Sequence, residues 1–524
     1  MKNFLSIFLF SCLFFTVKAQ QRNVILIIAD DLGSDYCGFS ENRLDTAKMP
    51  NVRRLLARGV RFRNAWANPL CSPTRAGMLT GRYSFRTGVG DVASAAVSLD
   101  TAELTIPKLL NRYKPNGIAK GHIGKWHLQQ PIAANYSNPN KMGYDHYEGN
   151  MAGMVASYTN WTKVTNGVAA TITNYATTET VNNALAWLKN QDASKPFFLW
   201  LAFNTPHSPF HLPPANLHSS TNLSGTAADI TANPKPYFKA MIEAMDTEIG
   251  RLFDSLQIQQ KWDNTDIIFI GDNGNESATA QRTGGAKGGI TEQGISVPFI
   301  ISGPSVVNPN RVSNAMVHTT DLFATILDLF GYTTWQSQIA ANKPVDSKSI
   351  VPILKNQATE IRTWNFDEVF RVPTVGGDGK TMRNASYKLI NLDNGTQRFY
   401  KIDTDTLETT NLLTRTLTAT ETTNYNFLCN QMTTLVGTGR FCTLTPTQDL
   451  NNPDNLSVYP NPFVDFIKIK NTLGTETYHL YNALGQVYFK GKNIQNQNFS
   501  ALPKGVYFLE VLDKNKTVLK LVKG

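Results

Sequence analysis

Four short stretches of this chain, residues 24–28, 196–203, 266–270 and 297–301, are β-rich and almost wholly apolar. A strand with one wet face alternates apolar and polar side chains, so runs without alternation read as strands covered on both faces. Between them lie longer amphipathic segments. Residues 237–256 carry Met241, Ala244, Met245, Ile249 and Leu252 at helical spacing, and residues 319–331 read as a second helix stopped by Gly331. The pattern predicts an α/β fold: a large mixed, mostly parallel sheet flanked by helices.

Three of these runs end in polar clusters. The first ends in Ala29-Asp30-Asp31-Leu32-Gly33, the second in Asn204-Thr205-Pro206-His207, the third in Gly271-Asp272-Asn273-Gly274. Ligands of open α/β sheets bind outside the carboxyl ends of the strands, so three distant segments are expected to meet at one edge. Asp30, Asp31, Asp272 and Asn273 offer only oxygen donors, a set that selects Ca²⁺ or Mg²⁺ over zinc. The competing role for Asp30 or Asp31 is to cap a helix.

Four further motifs carry chemistry: Cys71-Ser72-Pro73-Thr74-Arg75, Gly124-Lys125-Trp126-His127-Leu128, Pro206-His207-Ser208-Pro209 and Gly285-Ala286-Lys287-Gly288-Gly289. With the acidic set, they make residues 22–413 resemble the type I sulfatases of the alkaline phosphatase superfamily. The resemblance implies an alkaline phosphatase-like fold and a sulfuric ester hydrolase. Cys71 is then oxidised to formylglycine, the nucleophile, which also joins Asp30, Asp31, Asp272 and Asn273 around Ca²⁺, with Mg²⁺ as the alternative. A thiolate would attack a sulfate ester poorly, both being anionic, whereas a metal-bound aldehyde hydrate offers an activated hydroxyl. By the same resemblance Arg75 steadies the formylglycine, Lys125 and Lys287 hold sulfate oxygens, His127 takes the proton that triggers sulfate release, and His207 is the general acid for the leaving alcohol. Thr74 stands where some members carry Ser or Ala, and residues 113–120 depart from the Tyr-x-Thr-type segment usual in the family. Two other readings stay open at this point: a phosphate or phosphonate monoester hydrolase on the same fold, and a non-catalytic glycan-binding homologue.

Around this core the chain is expected to divide into a signal peptide (1–19), the catalytic domain (20–442, with a smaller β-rich subdomain from about 360), a linker (443–454) and a separate all-β domain (455–524). Lys2, the apolar run from Phe4 and the small residue Ala19 describe a secretory leader too short to be a membrane span. Residues 443–455 are rich in Thr, Pro, Asn and Asp, which suits a linker. The Tyr459-Pro460-Asn461-Pro462 opening and Lys504-Gly505-Val506-Tyr507 make the last 70 residues resemble the C-terminal sorting domain of type IX secretion in Bacteroidota. A small carbohydrate-binding β-sandwich is the rival on pattern alone. The implied location is secreted or attached to the outer-membrane surface after passage through the periplasm. The implied partners are a sulfated carbohydrate, a formylglycine-generating or sulfatase-maturing enzyme, and the type IX machinery.

Nucleic acid is excluded by where the charge sits. Of the formal net charge of +10, the first 19 residues carry +2 and residues 455–524 carry +5, leaving +3 for the large middle. Cys37, after the first strand, is expected to be a core thiol, and Cys429 and Cys442 are candidates for a disulfide. Tyr144, Tyr147, Tyr158, Trp161 and Tyr175 form an aromatic stretch that could face a sugar, although such rings are more often packing residues, and His211 could line the substrate cleft. His122, His146, His218, His318 and His479 read as core or surface residues.

Overall fold

The structure is a computed structural model and describes residues 22–41, 43–282, 286–437, 457–470, 474–482, 485–512 and 516–524. The expected leader, the expected linker and the Cys442 half of the expected disulfide lie outside the described residues. Two units partition the chain, Met1–Phe441 and Cys442–Gly524.

The first unit is built on a ten-stranded sheet: β1 (Asn23–Ala29), β2 (Gly59–Trp66), β3 (Ala119–Gly124), β4 (His146–Gly149), β5 (Trp161–Thr165), β6 (Val168–Ile172), β7 (Phe197–Ala202), β8 (Thr265–Gly271), β9 (Phe299–Ser302) and β10 (Arg311–His318), in the order β10-β2-β9-β8-β1-β7-β3-β4-β5-β6. At its centre β8, β1, β7 and β3 run parallel, so their carboxyl ends share one edge. The fourth apolar run, β9, is antiparallel to both β8 and β2, and for that reason its end points away from this edge.

Burial on both faces explains the unbroken apolar runs. Val24, Leu26 and Ile28 pack into one hydrophobic cluster with Phe198, Trp200 and Ile268, while Ile25, Ile27 and Ala29 pack into the opposite one with Leu199, Leu201 and Phe269. The second cluster is covered by the helices Ala176–Lys189 and Pro234–Ile258, the latter starting on a proline at its first turn, where a missing N–H costs nothing. The first is covered by Cys71–Thr80, Ile106–Tyr113 and Leu322–Leu329. The last of these corresponds to the expected 319–331 helix, its first turn being a 3-10 turn at Thr319–Asp321.

A four-stranded antiparallel sheet forms the smaller part of this unit: β11 (Asn365–Val369), β12 (Gly379–Arg383), β13 (Lys388–Leu392) and β14 (Gln397–Tyr400). Fully buried Lys388 on β13 reaches Glu408 Oε1 (2.8 Å) and Glu292 Oε1 (3.3 Å), tying this sheet to the loop before β9. The second unit is all-β. It has a two-stranded pair, Ser457–Tyr459 with Lys468–Lys470, and a four-stranded antiparallel sheet over its own core of Phe463, Ile467, Leu480, Leu509, Val511 and Leu521. No helix among the described residues is long and apolar enough to cross a membrane.

Candidate active site

The carboxyl ends of β1 and β8 are locked together through backbone amides. Asp31 N–H donates to Asp272 Oδ1 (3.0 Å), Asp272 N–H to the Ala29 carbonyl (3.1 Å), and Gly33 N–H to Asn275 Oδ1 (2.8 Å). Asp31 adopts φ 64°, a left-handed conformation that Asp tolerates better than most residues. On the other side Asp30 N–H bonds the Thr205 carbonyl beyond β7 (3.1 Å). Three loops distant in sequence thus share one floor.

Cys71 is the first residue of a helix whose ten residues are all buried. Pro73 falls in its first turn, where a proline is tolerated, and Arg75 lies one turn on, on the same face as Cys71. Arg75 donates from Nε (3.2 Å) and a terminal nitrogen (2.7 Å) to Asp272 Oδ2, and from its other terminal nitrogen to the Lys125 carbonyl (3.0 Å). Lys125 Nζ donates to Asp30 Oδ2 (2.6 Å), and Lys287 Nζ to Asp31 Oδ2 (2.8 Å). Three carboxylates and three cations therefore cancel in a nearly dry cluster, a balance that buried charges require.

His127 stands over Cys71, its Nδ1 3.0 Å from Sγ. Two glycines make this geometry available. Gly124, with φ 101°, has no room for a Cβ against the Ala202 carbonyl, and it turns the chain so that Lys125 N–H bonds that same carbonyl (2.8 Å). Gly153 lies flat against the His127 imidazole, where a Cβ would come within 2.6 Å of Cε1 and Nε2. His122, caged by Trp126, Tyr144, Tyr147 and Trp200, donates from Nε2 to the Lys125 carbonyl (3.1 Å) and so supports the same turn.

Electrostatics follow from burial and pairing. Burial pushes Asp30 up to about 6 against the pull of Lys125. For Asp31 the upward push of burial is outweighed by Lys287 and His207, which hold it below the usual carboxylate range. Burial also raises the Cys71 thiol, and burial with Lys125 and Arg75 drives His127 well below its ordinary value. Burial thus favours the neutral form of both groups, which makes the unmodified thiol a poor nucleophile.

The residues present fit a hard cation. Asp30, Cys71 and Asp272 each bring a ligand atom within 4.8 Å of the others. Buried Asp30 Oδ1 and Asn273 Oδ1 have no hydrogen-bond donor among the described residues, while Asn273 Nδ2 is already spent on Asp31 Oδ1 (2.6 Å) and the Gly274 carbonyl (2.8 Å). Unpaired buried oxygens are what an oxygen-loving cation satisfies.

His207 sits at the rim. Its Nε2 is 3.6 Å from Asp31 Oδ2, and its backbone carbonyl accepts from the Tyr158 hydroxyl (2.7 Å). Side-chain exposure rises from 0% at Arg75, Lys125 and Asp31 to 12% at His207, 15% at Lys287 and 23% at Glu276, so solvent reaches the cluster from this side. All the expected catalytic and metal-binding residues fall in this one cluster.

Two readings left open by the sequence can be decided. Tyr144, Tyr147, Tyr158, Trp161 and Tyr175 are buried, so these rings pack the interior and present no open sugar-stacking face. His211 stacks on Tyr158 (4.2 Å between centroids), donates from Nδ1 to the Pro209 carbonyl (3.0 Å) and accepts at Nε2 from the Tyr175 hydroxyl (2.9 Å). With both nitrogens engaged it braces the loop, although its edge still lines a neighbouring cavity. Cys37 is a buried thiol, as expected of a core residue. The sequence reading missed Gly153, Asn275 and Glu276; for the last two, the polar run continuing past Asp272-Asn273-Gly274 was the available signal.

Comparison with known proteins adds to this geometry. The sulfatase family matches residues 22–332, more than half of the chain, and a secretion system C-terminal sorting domain matches residues 457–523. Among curated relatives, mouse arylsulfatase J is 26% identical over 62% of this chain and 56% of its own length. Human N-acetylgalactosamine-6-sulfatase is 28% identical over 64% of this chain and 66% of its own. The match thus spans less than two-thirds of either relative. The crystal structure of Ps i-CgsB in complex with k-i-k-neocarrahexaose shares the fold, with a TM-score of 0.66 at 24% identity over 80% of this chain and 93% of that one.

Proposed function

This chain belongs to the sulfatase family, and from that premise we propose that it hydrolyses sulfate esters, with residue 71 as formylglycine and one divalent cation as its cofactors. The observation that carries the reading is the meeting of Asp30, Asp272 and Cys71 donor atoms within 4.8 Å, walled by Arg75, Lys125 and Lys287. When present, the hydrated formylglycine supplies a hydroxyl nucleophile and Ca²⁺, held by residue 71, Asp30, Asp31, Asp272 and Asn273, supplies positive charge beside it.

The chain's own residues do the rest. Lys125 and Lys287 hold sulfate oxygens and Arg75 steadies residue 71 where charge shifts during transfer, and removing one such donor costs ~10²–10³-fold in rate. His207 Nε2, on the solvent side, gives a proton to the ester oxygen as its bond to sulfur breaks. His127 Nδ1, against residue 71, takes the proton whose loss releases sulfate.

A sulfated carbohydrate is the proposed substrate. Beside the His207 loop lies a cavity of about 800 Å³ lined by Thr159, Tyr175, His211, Leu212, His218 and Ser219 among others, and no Asp, Glu, Lys or Arg lines it. Hydroxyl groups and prolines without charge suit a neutral sugar ring next to the sulfated one. The likeness to a protein solved with an oligosaccharide bound supports the same class.

The sorting domain implies secretion and attachment at the cell surface through the type IX machinery. A cleaved leader, passage through the periplasm and a maturation enzyme acting on Cys71 complete the proposal. The test is the mass of the peptide spanning residue 71 in protein from a host with a sulfatase-maturing enzyme, followed by sulfate release from wild type and Cys71→Ala. Formylglycine with activity lost in Cys71→Ala supports the reading. Sulfate release by Cys71→Ala at the wild-type rate would refute it, and faster turnover of matched phosphate esters would move the enzyme to phosphate chemistry.

A further inference from the structure

Glu276 takes no part in the proton transfers assigned to His207 and His127, yet it stands at the mouth of the cluster. We propose that Glu276 is the positioning residue for the general acid His207: through Ser208 it fixes which imidazole nitrogen faces the ester. The inference rests on the proposed sulfatase activity.

The geometry is a three-residue clamp. Glu276 Oε1 accepts from the Ser208 hydroxyl (2.7 Å) and from the Ser208 backbone N–H (3.2 Å). The Ser208 carbonyl, fixed by this hold, accepts from His207 Nδ1 (2.8 Å), and the same Glu276 oxygen lies 3.4 Å from that nitrogen. Nδ1 is therefore committed to the protein. Only Nε2 is left to point toward Asp31 and the cationic cluster, where the ester oxygen must lie. A base or acid oriented by a third group is the recurring arrangement of enzymes that move protons at a fixed atom. Glu276 reaches this position because Asn275, its neighbour, is pinned between the Gly33 N–H and Asp35 Oδ1 (2.7 Å), which fixes the loop after β8.

In the step served, the S–O bond breaks, its electron pair stays on the departing oxygen, and the proton on His207 Nε2 moves to that oxygen, leaving a neutral imidazole. An alcohol that departs readily as an anion needs this proton little; a poor leaving group needs it fully. Loss of the clamp thus changes leaving-group dependence rather than rate alone. The competing role for Glu276 is metal ligation, since Asp31, His207 and Glu276 also bring ligand atoms within 4.8 Å of one another.

The experiment uses full-length protein with residue 71 confirmed as formylglycine by mass. Rates on para-nitrophenyl sulfate and para-methoxyphenyl sulfate are compared for wild type, Glu276→Ala and Glu276→Gln, with calcium content measured for each. Glu276→Ala is expected to slow the methoxyphenyl ester at least ~10-fold more than the nitrophenyl ester, a part of the ~10²–10⁴-fold that general acid catalysis supplies. Glu276→Gln, which keeps an acceptor for Ser208, recovers part of that difference, and all three proteins hold the same calcium. Equal slowing of both esters, or calcium lost with the carboxylate, would overturn the proposal. Inactivity of mature wild type toward both esters and toward sulfated oligosaccharides would instead sink the sulfatase reading, and this proposal with it.

Discussion

Replacing Gly153 by alanine adds one methyl group and tests the placement of His127 without touching a charged residue. The added Cβ would sit 2.6 Å from both Cε1 and Nε2 of the His127 ring. Carbon contacts are optimal near 3.5 Å or beyond, so the ring or the Gly153 backbone must give way by about 1 Å. His127 is buried, with its own backbone N–H bonded to the Met151 carbonyl (3.3 Å) and φ at 52°, so the easiest adjustment is a tilt of the imidazole. That tilt stretches the 3.0 Å contact between Nδ1 and residue 71. A misplacement of ~1 Å in a reacting group costs on the order of 10²-fold, while overpacking at one methyl costs about 1–3 kcal/mol of stability. Gly153→Ala is therefore expected to fold, carry formylglycine, and lose roughly 10²-fold in steady-state turnover. Because His127 serves sulfate release, the alcohol should appear in a burst of one equivalent per enzyme, followed by the slow phase. Stopped-flow release of para-nitrophenol reads both. Wild-type turnover by fully mature Gly153→Ala would refute the assignment of His127.

Three other outcomes rest on the metal site and on buried charges elsewhere. Chelating the divalent cation should abolish activity and lower the unfolding midpoint, Ca²⁺ restoring both; at 100-fold excess over Kd the bound ion adds about 2.7 kcal/mol, and calorimetry with and without EDTA checks it. Glu368, fully buried, accepts the Phe85 N–H (2.7 Å) but has no donor for Oε2 among the described residues, and burial, opposed by Lys380, pushes it up to about 7. The native state then holds a proton that the unfolded chain has lost, so its contribution is complete below about pH 4 and falls away by about 3 kcal/mol as pH rises through 7; urea melts of Glu368→Gln should lack this slope, and parallel pH profiles would contradict it. Lys388→Met removes the cation from buried Glu408 and leaves Glu292 with Trp66 Nε1 and Arg383, and should cost about 3–5 kcal/mol; a loss under about 1 kcal/mol in urea would show the cluster to be weakly coupled.

The central strands were legible because burial on both faces leaves a mark in sequence that no polar residue interrupts. β1, β7 and β8 carry that mark, and they bring their loops to one edge. β2, β3 and β10 belong to the same sheet without it. Arg61 on β2 is neutralised by Glu41, Lys120 on β3 is neutralised by Asp145 and donates to the Ile118 carbonyl, and His122 is enclosed by aromatic rings. A polar residue whose partner is distant in sequence looks exposed when the chain is read locally. The same limit hid the burial of the aromatic stretch: Tyr158 and Tyr175 are polar-tipped rings whose hydroxyls find the Asn204 carbonyl and His211 inside the protein.

The site divides along a similar line. The acidic residues at the strand ends announce themselves, because Asp30-Asp31 and Asp272-Asn273 each follow an unbroken apolar run. Residues that orient those charges do not. Gly153 acts by having no side chain against His127, and Glu276 acts through an intervening Ser208, so neither has a signature apart from its neighbours' coordinates. The acidic groups could be found from chemistry, since a hard metal demands oxygens, and the basic groups from the resemblance of their motifs to the family's. Their alignment to a fraction of an ångström depends on small and indirect residues. Substitutions at Gly153 and Glu276 should therefore separate presence of the catalytic groups from their placement: each leaves Asp30, Arg75, Lys125 and residue 71 intact and moves only a proton carrier.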